Sequence, residues 1–222
     1  ELGVHEPLED VAGYLQNWFS MLVIRAQRHG DLLELASRST IPVINARTDR
    51  GHPCEVMGDL LYLRQIGRNL NELKLVFVGE FTNLCMSWLE AATVLPLHVV
   101  QVCPPGFEVP TQTLDALRAR AVGEISVTHD LRRALTGAHV IYTDCWPHQT
   151  SADEQARVSA AFLPYQITIE HLNLLGPDGV FLPCPPVTRG QEVSHEAMAS
   201  PLCRNHAAKN NLLHAQNAIM EH

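Results

Sequence analysis

Short runs of β-branched and aliphatic residues alternate with segments of helical apolar spacing along almost the whole chain. This is the pattern of parallel strands covered by helices, and it predicts an α/β fold. In the first quarter, residues 9–17 read as helix, 21–25 as strand, 31–38 as helix and 41–45 as strand. A longer helix is predicted over 54–66, where Val56, Leu60, Leu63 and Ile66 recur at helical spacing. Beyond Leu73 the alternation restarts. Strands are predicted over 74–79, 98–103, 125–128, 139–144 and 179–184, and helices over 83–95, 113–120, 131–136, 152–162 and 207–221. Asn69, Asn71 and Glu72, between two periodic regions, mark a domain junction.

Composition narrows the class. With 222 residues, of which 46% are hydrophobic and 18% charged, the chain can bury one good core or two modest ones. Sixteen basic against 24 acidic residues give a formal net charge of -8, which repels a phosphate backbone and argues against a nucleic-acid partner. An anionic ligand therefore needs local cations. The cysteines at 54, 85, 103, 145, 184 and 203 form no CxxC pair and sit mostly in apolar stretches, which favours buried free thiols over disulfides or zinc and fits a reducing, cytoplasmic compartment. No His, Cys or acid set has metal-ligand spacing. No apolar run approaches the roughly 20 residues that span a bilayer, and no leader pattern opens the chain, so no membrane partner is expected. The first residue is Glu1 rather than Met and the opening stretch already runs into a helix, so residues upstream of it are expected.

In open parallel sheets, ligands bind beyond the carboxyl ends of the strands. The positions there are unusually polar: Arg25, His52, Asn83, Asp144 and the run from Cys184 to Arg189. Around Gly79 only one of the three glycines of a dinucleotide turn is present, so a nicotinamide cofactor is not expected and an ordinary strand-to-helix turn accounts for it. His52-Pro53-Cys54-Glu55 opens a helix whose first amides favour anions and whose imidazole can donate to a carbonyl oxygen; a cap and turn would read the same way. Asp144 suits an ammonium group, or a loop acid. Arg189, after the rigid Pro183-Cys184-Pro185-Pro186 stretch, suits a phosphate or carbonyl oxygen, or a surface ion pair worth ~0 to 1 kcal/mol.

Their order and context give these weak signals weight. Leu2-Gly3-Val4-His5-Glu6-Pro7-Leu8-Glu9-Asp10, Val23-Ile24-Arg25, and Pro42-Val43-Ile44-Asn45-Ala46 followed by Asp49 and His52-Pro53-Cys54-Glu55 resemble consecutive stretches of the ornithine and related transcarbamylases. So do Val78-Gly79-Glu80 with Asn83 and Ser87, Tyr142-Thr143-Asp144-Cys145-Trp146, and Phe181-Leu182-Pro183-Cys184-Pro185-Pro186 with Arg189-Gly190 and Glu192-Val193. The closing Leu213-His214-Ala215-Gln216-Asn217-Ala218 is similar to that family's C-terminal helix.

The resemblance implies two parallel-sheet α/β domains with the site between them, in a homotrimer or a multiple of trimers, with no cofactor. Residues 1–50 would be what this chain carries of a carbamoyl-phosphate domain, 51–203 the amino-acid-binding domain, and 204–222 a helix packing back on the first. The implied reaction, in arginine biosynthesis or related amino-acid metabolism, moves a carbamoyl group from carbamoyl phosphate to ornithine or a related amine. Arg25, His52, Glu55 and Arg189 would bind carbamoyl phosphate, with His52, Arg189 and Cys184 catalytic. Asn83, Asp144, His148, Gln149, Cys184 and Pro185 would bind the acceptor.

Three departures stand out. The family's phosphate-binding Ser-Thr-Arg-Thr-Arg segment is not among these residues, a loss of several charge-assisted bonds at ~1.5 to 3 kcal/mol each. Pro147-His148-Gln149-Thr150 follows the Asp-x-Trp where ornithine enzymes carry Ser-Met-Gly, which predicts an acceptor other than ornithine or weak use of it. Glu55 stands where the family has Gln, and Pro183 and Pro185 where it has His and Leu. A carboxylate at 55 repels phosphate, so Glu55→Gln is expected to tighten donor binding. The alternative is a catalytically silent paralogue that binds an amino acid or a partner subunit.

Overall fold

The computed structural model describes residues 5–175 and 178–222. Residues 2–4 of the opening transcarbamylase-like stretch lie outside them. Among the described residues there are two parallel sheets. The smaller pairs β1 (Leu22–Arg25) with β2 (Val43–Arg47), and α1 (Leu8–Trp18) and α2 (His29–Arg38) pack on it around Leu8, Ala12, Leu22 and Leu35.

From β2 the chain enters α3 (Pro53–Gln65), started by a proline in its first turn, where the missing N–H costs nothing. Five strands form the larger sheet: β3 (Lys74–Val78), β4 (His98–Val102), β5 (Glu124–Thr128), β6 (Val140–Thr143) and β7 (Val180–Pro183). Their order is β5-β4-β3-β6-β7, all parallel. The helices between them are α4 (Asn83–Ala91), α5 (Thr111–Arg118), α6 (Leu131–Leu135), α7 (Ala152–Phe162) and α8 (Ile169–Leu172); α9 (His195–Ala199) and α10 (Asn205–Glu221) follow β7.

Successive side chains of the central strands point to opposite faces, and both faces are apolar. On one, Leu75, Phe77, Val140, Tyr142 and Leu182 meet α3, α4, α5 and α10; on the other, Val76, Val78, Ile141 and Phe181 meet α6, α8 and α9. The predicted helix over 83–95 stops at Ala91, because the β-branched Thr93 and Val94 are followed by Leu95, in which Pro96 disfavours helix. α8 and α9 span too few residues for apolar periodicity to reveal them, and sequence reading placed no element there.

The last helix lies against α3, and one residue permits that approach. A Cβ on Gly58 would stand 2.8 Å from the Leu212 side chain and 3.2 Å from its Cα. α10 turns Ala208, Asn211 and Ala215 inward. Small side chains here let the two helix backbones come close, and that closeness sets the polar cluster described next.

Candidate active site

The strand order reverses between β3 and β6, since β4 and β5 lie to one side of β3 while β6 and β7 lie to the other. A crevice opens beyond the carboxyl ends at such a switch point. A cavity of about 840 Å³ occupies it, and the loops after β1, β2, β3, β6 and β7 all contribute walls, with Lys209 and Leu212 of α10.

Seven of the ten residues singled out from sequence converge here: Arg25, His52, Glu55, Asn83, Asp144, Cys184 and Pro185. His148, Gln149 and Arg189 do not line it. The Gln149 amide donates to Gln155 Oε1 at 2.7 Å, which fastens that loop to α7, and His148 is exposed. Arg189 is exposed on the loop after β7, where its charge acts on Cys203. That loop is held in place by the Gln166 amide, which donates to the carbonyls of Gly190 and Gln191.

The two sheets are tied together at the cavity's edge. His52 N donates to Ser87 Oγ at 2.8 Å, and the Asn83 side-chain amide donates to the Thr48 carbonyl, so α4 grips the loop after β2 at two points. His52 is the N-cap residue of α3. Burial holds its imidazole below the ordinary histidine pKa; Glu55 opposes this, while the Arg47 and Arg25 charges reinforce it. The ring is therefore neutral at pH 7 and can donate one N–H without carrying charge.

The walls after β3 and β6 are acidic. Asp144 accepts from Thr82 Oγ1 at 2.9 Å and from Cys145 N at 2.9 Å. Thr82 also caps α4, accepting from Cys85 N at 3.2 Å, so one hydroxyl fixes both the helix and the carboxylate. Burial raises the pKa of Asp144 against these bonds and against His52 and Arg47, and burial with the Asp144 charge raises that of Glu80. Two carboxylates at one crevice favour a cation between them. Buried Gln101 braces the turn, donating to Gly79 O and Phe107 O and accepting from Val109 N.

Below them lies an ion cluster that sequence reading did not find. Lys209 Nζ contacts Glu55 Oε1 and both oxygens of Asp59, at 3.0 and 2.9 Å. Tyr142 OH donates to Asp59 Oδ2 at 2.8 Å, and the ammonium stands 5.8 Å from the Tyr142 ring centroid. Burial alone would depress the Lys209 pKa, but the charges of Asp59 and Glu55 outweigh it and raise it. Burial raises Asp59 against the pull of Lys209 and Tyr142. Cys184, 3.8 Å from Glu55 Oε1, is kept a neutral thiol by burial and by the carboxylates of Asp144 and Glu55. It is a wall of the cavity and not a thiolate.

Arg47, Glu80, Thr82 and Lys209 are among the cavity residues given no role from sequence. Arg47 ends β2 and Glu80 lies two residues past β3, which is a usable signal. Lys209 is one of only two lysines in the chain, yet nothing local connects it to a helix 150 positions earlier.

Comparison with known proteins was decisive. Residues 1–65 match the model described as the aspartate/ornithine carbamoyltransferase carbamoyl-P binding domain, and residues 71–222 match the one described as the Asp/Orn binding domain. The chain belongs to the aspartate/ornithine carbamoyltransferase family. It is similar to the chloroplastic ornithine carbamoyltransferase of Pisum sativum, 36% identical over all of this chain and 59% of that one. It is also similar to the ornithine carbamoyltransferase of Chlorobaculum tepidum, 37% identical over 99% of this chain and 65% of that one. It therefore spans roughly three fifths to two thirds of the length of these two carbamoyltransferase relatives. Among solved structures, the ornithine carbamoyltransferase from Pyrococcus furiosus superimposes with a TM-score of 0.92 at 30% identity, over 99% of this chain and 71% of that one. That from Thermus thermophilus gives 0.86 at 33% identity, over 99% and 72%. Among the described residues no helix is long and apolar enough to cross a membrane.

Proposed function

We propose that this carbamoyltransferase-family protein transfers the carbamoyl group of carbamoyl phosphate to the amine of an amino acid, ornithine or a related one, releasing phosphate and a ureido product. The observation that carries the reading is the polarity of a single cavity. Arg25, Arg47 and a neutral His52 line it beyond the small sheet, where the carboxylate of Glu55 is paired with Lys209 and that of Asp49 accepts from His29 N, and Asp144 and Glu80 line it beyond the large one. An anionic donor and a cationic acceptor would thus enter from opposite walls.

In this reading Arg25 takes the phosphate, and His52 donates to the carbamoyl oxygen, where negative charge grows as the tetrahedral intermediate forms. The acceptor's neutral amine attacks the carbamoyl carbon. The intermediate collapses by breaking the carbon–oxygen bond to phosphate, and the amine's surplus proton leaves with it. Asp144 and Glu80 orient the acceptor by charge-assisted hydrogen bonds, so that binding converts a bimolecular encounter into a positioned one. Because Arg189 is exposed beyond the cavity, any part for it requires its loop to move inward.

The test is ureido product formed from carbamoyl phosphate across a panel of amines, with His52→Ala and Asp144→Asn beside the wild type. Loss of product in both variants supports the reading. Turnover unchanged in either variant, or no product from any amino acid, refutes it.

A further inference from the structure

The amino ends of β3 and β6 lie at the far end of the large sheet from the catalytic cavity. Another cavity, of about 200 Å³, opens there, lined by Gly67, Arg68, Asn69, Glu72, Leu73 and His139. The end of α3 delivers Arg68 to it in a fixed position. Gly67, at a φ of +82°, closes the helix in the left-handed conformation, with Gly67 N donating to Arg64 O at 3.0 Å and Arg68 N to Leu63 O at 2.9 Å. Among the described residues the buried Arg68 Nε has no hydrogen-bond partner, and neither Arg68 nor Glu72 forms an ion pair. A buried donor without an acceptor is costly, the more so on a charged group, and a ligand oxygen removes that cost.

Two neighbours are oriented by bonds of their own. His139 Nδ1 accepts from Lys74 N at 3.0 Å, so the neutral ring carries its proton on Nε2 and donates from there. Asn69 Oδ1 accepts from Asn71 N at 3.1 Å, which leaves the amide nitrogen of Asn69 as a donor. Glu72, exposed on the turn over Leu70–Glu72, supplies the one carboxylate of the lining.

We propose that this cavity binds a small α-amino acid, whose carboxylate is held by Arg68 Nε and His139 Nε2 and whose ammonium is held by Glu72. A plain oxyanion would set its charge beside Glu72 with nothing to offset it, whereas the adjacent charges of a zwitterion match both signs of the wall. The site is separate from the acceptor's place beside Asp144 and stands whether or not the chain transfers a carbamoyl group.

Glycine, the smallest such ligand, tests the proposal by NMR, with the ring resonances of His139 reporting this cavity and those of His52 the catalytic one. In the wild type glycine shifts the His139 resonances saturably, and acetate, which lacks the ammonium, binds at least about tenfold more weakly. Arg68→Leu and Glu72→Gln each weaken glycine at least about tenfold, the effect of losing one charge-assisted hydrogen bond. Asp144→Asn leaves the His139 response unchanged. The proposal is overturned if glycine leaves the His139 resonances in place or if acetate matches glycine. It is equally overturned if Glu72→Gln, a change at an exposed side chain, binds glycine as the wild type does, or if Asp144→Asn abolishes the response.

Discussion

Replacing Lys209 by Met removes the only cation of the buried cluster while keeping an unbranched chain over the Tyr142 ring. Three contacts are lost, two to Asp59 and one to Glu55. The Asp59 side chain is 0% exposed and that of Lys209 is 17% exposed. The change therefore belongs with buried ion pairs, where deleting one partner costs about 3 to 5 kcal/mol, and not with surface pairs at about 0 to 1. About 3 kcal/mol is a hundredfold or more in the folding equilibrium. It is a large share of the roughly 5 to 15 kcal/mol that keeps a domain folded. The loss must also depend on pH. Without Lys209, the pKa of Asp59, already raised by burial, climbs further above its unfolded value. A group raised in this way contributes its stability below the unfolded pKa and loses it as pH rises through the folded one. The deficit of Lys209→Met is accordingly largest near pH 8 and shrinks toward pH 5. Asp59→Asn in the same background recovers part of it, because the fully buried carboxylate is then gone and only that of Glu55 is left without its cation. Urea unfolding followed by tryptophan fluorescence and far-ultraviolet dichroism at both pH values measures each quantity. A loss under about 1 kcal/mol, or an equal loss at both pH values, would refute the argument.

Three further outcomes follow from the site and its supports. Because burial and the charges of Arg47 and Arg25 hold His52 below its ordinary pKa, its imidazole should take up a proton only below about pH 6.5, followed by the NMR resonances of the ring; a titration midpoint at or above that value contradicts a neutral donor. Glu55→Gln removes the charge that raises the His52 pKa, so the same midpoint should move to lower pH; carbamoyl phosphate should bind only several-fold tighter by calorimetry, since Lys209 already offsets that carboxylate. Gly58→Ala should cost about 1 to 3 kcal/mol by overpacking against Leu212, measured as a lowered urea midpoint; an unchanged midpoint would mean that α10 shifts freely on α3.

The alternation of strand and helix patterns predicted the α/β class, and the polar residues just past the strands predicted most of the cavity, because both signals are local. A buried strand needs an apolar run, and a ligand at a switch point needs polar side chains where the strands stop. Arg25, His52, Asn83 and Asp144 were legible for that reason. Arg189 was equally conspicuous after a proline-rich turn, yet its loop folds toward Gln166 and carries the side chain away from the cavity. Proximity along the chain to Cys184 does not fix where a long side chain goes.

Glu55 shows the converse case. From sequence alone it is a carboxylate in a helix's first turn facing an anionic donor, which predicts repulsion. In the fold, Lys209 reaches it across the α3–α10 contact, and that contact exists because Gly58 has no side chain. Glu55, Gly58, Asp59 and Lys209 therefore form one unit, whose charge balance is set by residues 150 positions apart. The altered residue at 55 is thus a reason to look for a paired change elsewhere before it is a reason to infer weakened binding. Exchanging Glu55 and Lys209 together should disturb the donor site less than exchanging either alone.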